Sequence, residues 1–309
     1  MSIARFLIAL CALWLSLCLS TCYAWREEYE FVLEWGTLGS DSGQFNGPRG
    51  MCTDKHGFVY VCDYNNQRVQ KFDSLGNFAL MFGSAGSGNG QFDGPVDVVV
   101  DDSGYIYVTD AFNSRVQKFD GLGAFALAWG DTGSAPGEFL IPEGIAVDRW
   151  GTVYVTDGGN HRVQRFDNQG NFLAQLIGPD SSRWDPMSIA VYQAKVYVCT
   201  AIPPHNIQQF DTSGLFIMEW NRYGSAPAEN FQIGDMDTDE FGNVYAADFM
   251  LDRCQKFNGN GMFITLWGSQ GSGPGQFDMP GCIAVDPTSG CVYVGEWGNN
   301  RVQKFRKVD

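Results

Sequence analysis

Arg68-Val69-Gln70-Lys71-Phe72-Asp73 (RVQKFD) decides the fold, because it returns. It recurs unchanged at Arg115–Asp120 and with one Lys-to-Arg exchange at Arg162–Asp167. Looser copies stand at Asn206–Asp211 (NIQQFD), Arg253–Asn258 (RCQKFN) and Arg301–Arg306 (RVQKFR). The steps between copies are 47, 47, 44, 47 and 48 residues. A regular period of that length marks a repeat architecture, in which each unit buries its faces against its neighbours. Residues present in every copy are then read as scaffold, and departures from the pattern become the places to look for function.

The third copy shows what one unit contains. Gly144–Asp148 (GIAVD) reads as a short strand ending at an Arg149-Trp150-Gly151 turn, and Thr152–Asp157 (TVYVTD) alternates as a second strand. A Gly158-Gly159-Asn160 loop leads to a third strand, Arg162–Phe166. A tight Asn168-Gln169-Gly170-Asn171 turn then gives a fourth, Phe172–Ile177. Four short antiparallel strands cannot bury both faces alone, whereas radial stacking buries each sheet between two others. The expected fold is therefore all-β, a six-bladed β-propeller with four-stranded antiparallel blades. Phe31–Trp35 (FVLEW) resembles the fourth strands Phe78–Phe82 and Phe125–Trp129, yet it precedes the first repeat, and the last repeat stops at its third strand. The N-terminal strand is expected to complete the sixth blade and close the ring.

Composition fits a single exported domain. The 309 residues are 44% hydrophobic and 18% charged, enough apolar material for a sizeable core, and 38 glycines suit a chain of many turns. Arg5, the apolar run Phe6–Leu19 and the small-residue site Cys22-Tyr23-Ala24 read as a signal peptide over residues 1–24, leaving 25–309 as one propeller. The product is expected to be secreted or periplasmic, with lipid attachment at Cys22 as the alternative. No later segment is apolar and long enough to span a bilayer as a helix. Net charge is −15, or −16 without the signal and its Arg5, which disfavours a nucleic-acid partner. Six cysteines remain after the signal: Cys52, Cys62, Cys199, Cys254, Cys282 and Cys291. Cys52 with Cys62, or Cys282 with Cys291, are candidate disulfides on neighbouring strands. The alternative is that they fill small core positions.

The unit GQF–GP–G–AVD–G–VYV–D–N–RVQKFD–G–F–WG, seen over Gly90–Gly130 and again over Gly137–Gly178, resembles the NHL repeat. The resemblance runs from Phe31 to Phe305 and implies a six-bladed propeller. It does not choose a function, since the family includes RNA-binding and partner-binding modules of ubiquitin ligases and a zinc lyase that amidates peptides. In that lyase, zinc-binding histidines follow the Pro that opens a first strand. The matching positions here are Arg49, Val96, Glu143, Met187, Gly234 and Gly281, none of them His, so the zinc chemistry is not carried over.

The Asp-x-x-Asn-x-Arg pattern (Asp63/Asn66/Arg68, Asp110/Asn113/Arg115, Asp157/Asn160/Arg162, and Glu296/Asn299/Arg301) recurs too often to be a catalytic centre. It reads as a carboxylate that accepts loop amides and pairs with the next strand's arginine. The Gly/Ser-rich loops before each first strand lack the following Lys-Ser/Thr of a phosphate cradle and read as one flexible face where partners bind.

Blade four breaks the pattern. Thr200 replaces the carboxylate, Pro203, Pro204 and His205 fill the next loop, and Asn206 replaces the arginine. With His161 at the equivalent place in blade three, this sector is a candidate binding rim, and the two histidines are a candidate start for a zinc site. A second candidate lies at the axis. Arg49, Glu143 and Met187, each following the Pro that opens a first strand, are further candidate binding residues, with Glu143 expected near the axial acids. Among the leading first-strand residues, Asp97 and Asp235 are the speculative metal ligands, with Ca²⁺ as the possible cofactor. No catalytic residue is assigned. The leading reading is a non-catalytic exported propeller binding a protein, peptide or glycan on one face. The alternatives are a calcium-type hydrolase or lyase using the channel carboxylates, or a ligase- or RNA-type NHL module, which would need a basic face.

Overall fold

The computed structural model describes residues 27–180, 184–201, 206–220, 222–230 and 232–308. The expected signal, together with Pro203, Pro204 and His205, lies outside them.

Six four-stranded antiparallel sheets follow one another along the described chain. Blade one holds Pro48–Thr53, Val59–Asp63, Arg68–Phe72 and Phe78–Phe82, and blades two to five repeat that order. Blade three's first strand is Pro142–Val147 rather than Gly144–Asp148. Pro142 already pairs with Asp157, across a bulge that ends at Ile145. Blade six takes three strands from the C-terminal end of the chain and its fourth from Tyr29–Trp35, which pairs antiparallel with Arg301–Lys307. The closing strand starts two residues earlier than expected, because Tyr29 stacks on Trp267 at 4.4 Å and its hydroxyl meets that of Tyr245 at 3.0 Å.

Each gap between blades is filled by one cluster of buried side chains. Val69, Phe92, Val98 and Phe119 meet between blades one and two, while Phe45, Phe72, Cys282 and Tyr293 meet between six and one. The repeated tag therefore serves several sites at once. Val69 faces one neighbour and Phe72 the other, and Lys71 lies over the rings of Phe58 and Tyr60. Arg68 and Gln70 turn to the preceding loop. The Arg68 guanidinium donates to Asp63 at 2.7 Å and to the carbonyls of Ser40, Asp41 and Gln44. Gln70 donates to the Gln44 carbonyl and accepts from Gly43. The same clamp repeats at Arg115, Arg162, Arg253 and Arg301. The loops expected to be a flexible face are thus tied down by the tag.

The six described cysteines are free, which corrects the disulfide alternative. Strand register is the reason: Cys52 sits opposite Tyr60 rather than Cys62, and Cys282 sits opposite Gly295, with Cys291 before the strand. Cys62, Cys199, Cys254 and Cys282 fill core positions, where burial pushes their thiols up in pKa.

Candidate functional site

First strands converge on the axis, and two glycines let them come close. A Cβ on Gly50 would stand 2.4 Å from the Asp97 Cα and from the Val96 carbonyl of the next blade. One on Gly144 would meet the Met187 carbonyl at 2.6 Å. In this layer lie Asp97 of blade two and Asp235 of blade five, three blades apart and so on opposite sides of the ring. Asp97 accepts from the amides of Val98 (2.8 Å) and Ile145 (2.9 Å). Asp235 accepts from the Ser188 hydroxyl (2.7 Å) and the amides of Met236 (2.8 Å) and Ile283 (3.1 Å). Each carboxylate therefore ties its own first strand to the next blade's. Burial raises Asp97 to about 7 and pushes Asp235 well above the usual carboxylate range, with the charge of Asp97 adding to that shift. Asp237, whose carboxylate accepts from Thr238 and Val285, is raised by burial to about 6.

The expected calcium site finds little support here. The oxygens of Asp97 and Asp235 face amide and hydroxyl donors, and a calcium shell needs about six to eight oxygens. Among the described residues no group of three or more His, Cys, Asp or Glu side chains could hold a metal ion. Cys282, the equivalent first-strand residue of blade six, packs into the core between blades six and one.

The channel has two unlike ends. On the side of the first-to-second-strand turns, the hairpin face, it widens into a cavity of about 460 Å³ lined by Asp97, Asp235, Asp237 and turn residues including Arg149 and Glu240. On the other side, the loop face, Arg49 and Glu143 close the mouth with an ion pair of 3.0 Å, next to Met187. Burial raises the Glu143 carboxyl, and Arg49 opposes that rise.

The blade-four sector is built differently from its sequence reading. Thr200 and Asn206 are buried, and the Asn206 amide donates to Glu219 at 2.6 Å. Trp184 takes the place of the repeated Phe and donates its indole N–H to Gln208 at 2.7 Å. The lost Asp–Arg pair is replaced by this internal network, and Thr200 and Asn206 give a partner no surface. His161 is also a linker. It adopts a left-handed conformation (φ 56°), and its Nδ1 lies 2.8 Å from the Trp184 carbonyl of the next blade. Gln67, Asp252 and Asn300 hold the same position and accept amides of Gly94, Met279 and Gly47 in their next blades. Whether His161 and His205 share a site falls outside the described residues.

The loop face carries a feature that motif reading missed. Trp297 of blade six and Tyr64 of blade one lie 5.8 Å apart, ring to ring. Trp297 leans over Gly47, and Tyr64 and Phe112 both lean over Gly94, where an added Cβ would come within 2.9–3.3 Å of their rings. Both glycines have positive φ, 71° and 74°, so the bed is flat by backbone necessity. Arg49 adds its guanidinium 5.2 Å from the Tyr64 ring centre. The result is an arc of partly exposed aromatic rings over blades six, one and two, with Phe112 58% exposed. The signal was present in the sequence as aromatic residues one or two places after the recurring carboxylate. Only the ring geometry makes them contiguous.

Comparison with known proteins agrees with this architecture. The NHL repeat family matches residues 45–72, 92–119, 139–166 and 277–305, which fall in blades one, two, three and six. Protein lin-41 of Caenorhabditis elegans is 47% identical over 47 residues, a stretch covering 15% of this chain and 4% of that protein. A streptogramin B lyase structure superposes with a TM-score of 0.61 at 12% identity, covering 92% of this chain and 99% of that chain. A chain of a nidogen/laminin complex gives 0.56 at 16%, covering 71% and 79%. Likeness at such low identity speaks for fold alone. The chain is an NHL-repeat protein whose repeats build a six-bladed β-propeller.

Proposed function

We propose that this chain is an exported, non-catalytic propeller that holds a protein, peptide or glycan partner on its loop face. The observation that carries the reading is the contiguous arc of Trp297, Tyr64 and Phe112, with Arg49 beside it. The opposite face also exposes apolar residues, among them Leu75, Leu122, Trp150 and Phe241, and exposure alone is ordinary for a protein surface. Aromatic rings gathered side by side are instead the usual anchors of a binding surface, large in area and costing little rotamer freedom. The clamped loops present them on a rigid frame, which lowers the entropy lost on binding. Likeness to a chain crystallised in a nidogen/laminin complex supports a partner-holding use of the fold. Export rests on Arg5, the run Phe6–Leu19 and the Cys22-Tyr23-Ala24 site.

Peptide and glycan panels probed with the purified chain and with a Tyr64→Ala/Phe112→Ala/Trp297→Ala variant test this. Ligands retained by the native chain should be lost by the variant, while its circular dichroism stays native. Ligands that hold both proteins equally would overturn the reading.

A further inference from the structure

The distribution of charge on the two faces says what kind of partner the arc would take. Five arginines near the loop face are the buried or half-buried tag residues, each spent on its own carboxylate, from Arg68 on Asp63 to Arg301 on Glu296. Arg49 is likewise spent on Glu143. The lysines of the tag point the other way, to the hairpin face, where Lys71, Lys118 and Lys256 lie over tyrosines of their own blades. Lys55, Arg149 and Lys195 also belong to hairpin-face turns or strand ends.

Carboxylates at the aromatic arc have no such partners. Asp93 is exposed, and its carbonyl receives the Phe112 amide at 3.0 Å, which fixes it beside that ring. Asp278 is held the same way by the Gly298 amide at 3.0 Å, next to Trp297. Neither side chain forms an ion pair among the described residues. The two carboxylates belong to the loops that begin blades two and six, so they flank the arc at both ends. Partly exposed aromatic faces with unpaired carboxylates at their edges are chemically suited to cations on flexible stems.

We infer that the loop face binds a cationic polypeptide segment, with lysine or arginine side chains lying over Trp297, Tyr64 and Phe112 and reaching Asp93 and Asp278. This rests on the partner-holding reading above and narrows it to one chemistry. The overall acidity of the chain would draw such a segment in, and the placement of its lysines on the other face would orient it.

Fluorescence anisotropy with a labelled Lys/Arg–Gly/Ser peptide provides the test. Its twin, carrying acetyl-lysine and citrulline, has the same length without the charge. The cationic peptide should bind about ten-fold tighter than the twin and weaken as salt rises from about 0.05 to 0.5 M. Asp93→Asn and Asp278→Asn should each weaken it about two- to five-fold. Asp102→Asn and Glu240→Asn, exposed carboxylates on the hairpin face, should leave it unchanged. Absence of cationic-peptide binding, equal binding of the twin, or equal loss in the hairpin-face controls overturns the inference. If uncharged ligands still bind and are lost in the aromatic triple variant, the partner-holding reading survives that failure. If the triple variant keeps every ligand, both fall.

Discussion

Replacing Trp35 with alanine probes ring closure with a control built into the repeat. Trp35 belongs to the closing strand, yet its ring packs on Phe72 of blade one at 5.6 Å and on Tyr293 of blade six at 5.9 Å, over the turn glycine Gly76. Trp129 has the same surroundings inside an uninterrupted blade: Phe166 at 5.8 Å, Tyr107 at 6.2 Å and Gly170 beneath. Full burial of such a side chain is worth roughly 3–5 kcal/mol on truncation, so these half-buried rings should each cost about 2–3 kcal/mol. For a domain of this size that corresponds to a fall in melting temperature of about 3–5 °C. Thermal unfolding followed by near-UV circular dichroism should give similar falls for Trp35→Ala and Trp129→Ala. Removal of residues 25–35 should cost more than Trp35→Ala, and a synthetic Tyr29–Trp35 peptide added in trans should restore part of the loss. A Trp35→Ala protein that melts with the native chain while Trp129→Ala drops would refute the closure.

The scaffold carboxylates give a second expectation: Asp157→Asn leaves Arg162 buried without its charge partner and should cost about 3 kcal/mol in urea unfolding, with a loss under about 1 kcal/mol counting against the clamp. Gly50→Ala drives a methyl group into the backbone of the next blade and should destabilise by about 2–3 kcal/mol, whereas a neutral result would mean the first strands are not so close. The axial acids set a pH dependence. Asp97, raised to about 7, binds its proton more tightly in the folded state, so its contribution is fullest below about pH 4 and declines as pH rises towards 7. The stability gap between the native chain and Asp97→Asn should therefore shrink from pH 4 to pH 8, and a gap that widens would show that the axial layer prefers the charged acid.

Much of the fold was legible because each structural demand was written six times. The tag, the four strands per unit and the displaced first strand need only local patterning, and the Asp–Asn–Arg clamp could be reasoned from residue chemistry. The partners of Gln70 could not, since Gln44 and Gly43 lie in a loop some 26 residues back. Blade four misled for a similar reason. Its lost carboxylate was visible at Thr200, but the compensating Glu219 meets Asn206 only through strand pairing. Asp97 and Asp235 could be read as leading first-strand residues, while the amides that occupy their oxygens come from neighbouring blades. The aromatic arc stayed hidden because Phe112 sits one place later in its loop than Tyr64 and Trp297 do, and Trp297 meets Tyr64 only when the ring closes.

Hydrogen exchange of the purified chain, with and without a ligand taken from the peptide and glycan panels, tests the central claim most directly. Slowed exchange in segments 64–67, 111–114 and 297–300, with the hairpin-face turns unchanged, is the predicted result. Protection confined to the hairpin face, or to the cavity around Asp237, would contradict it.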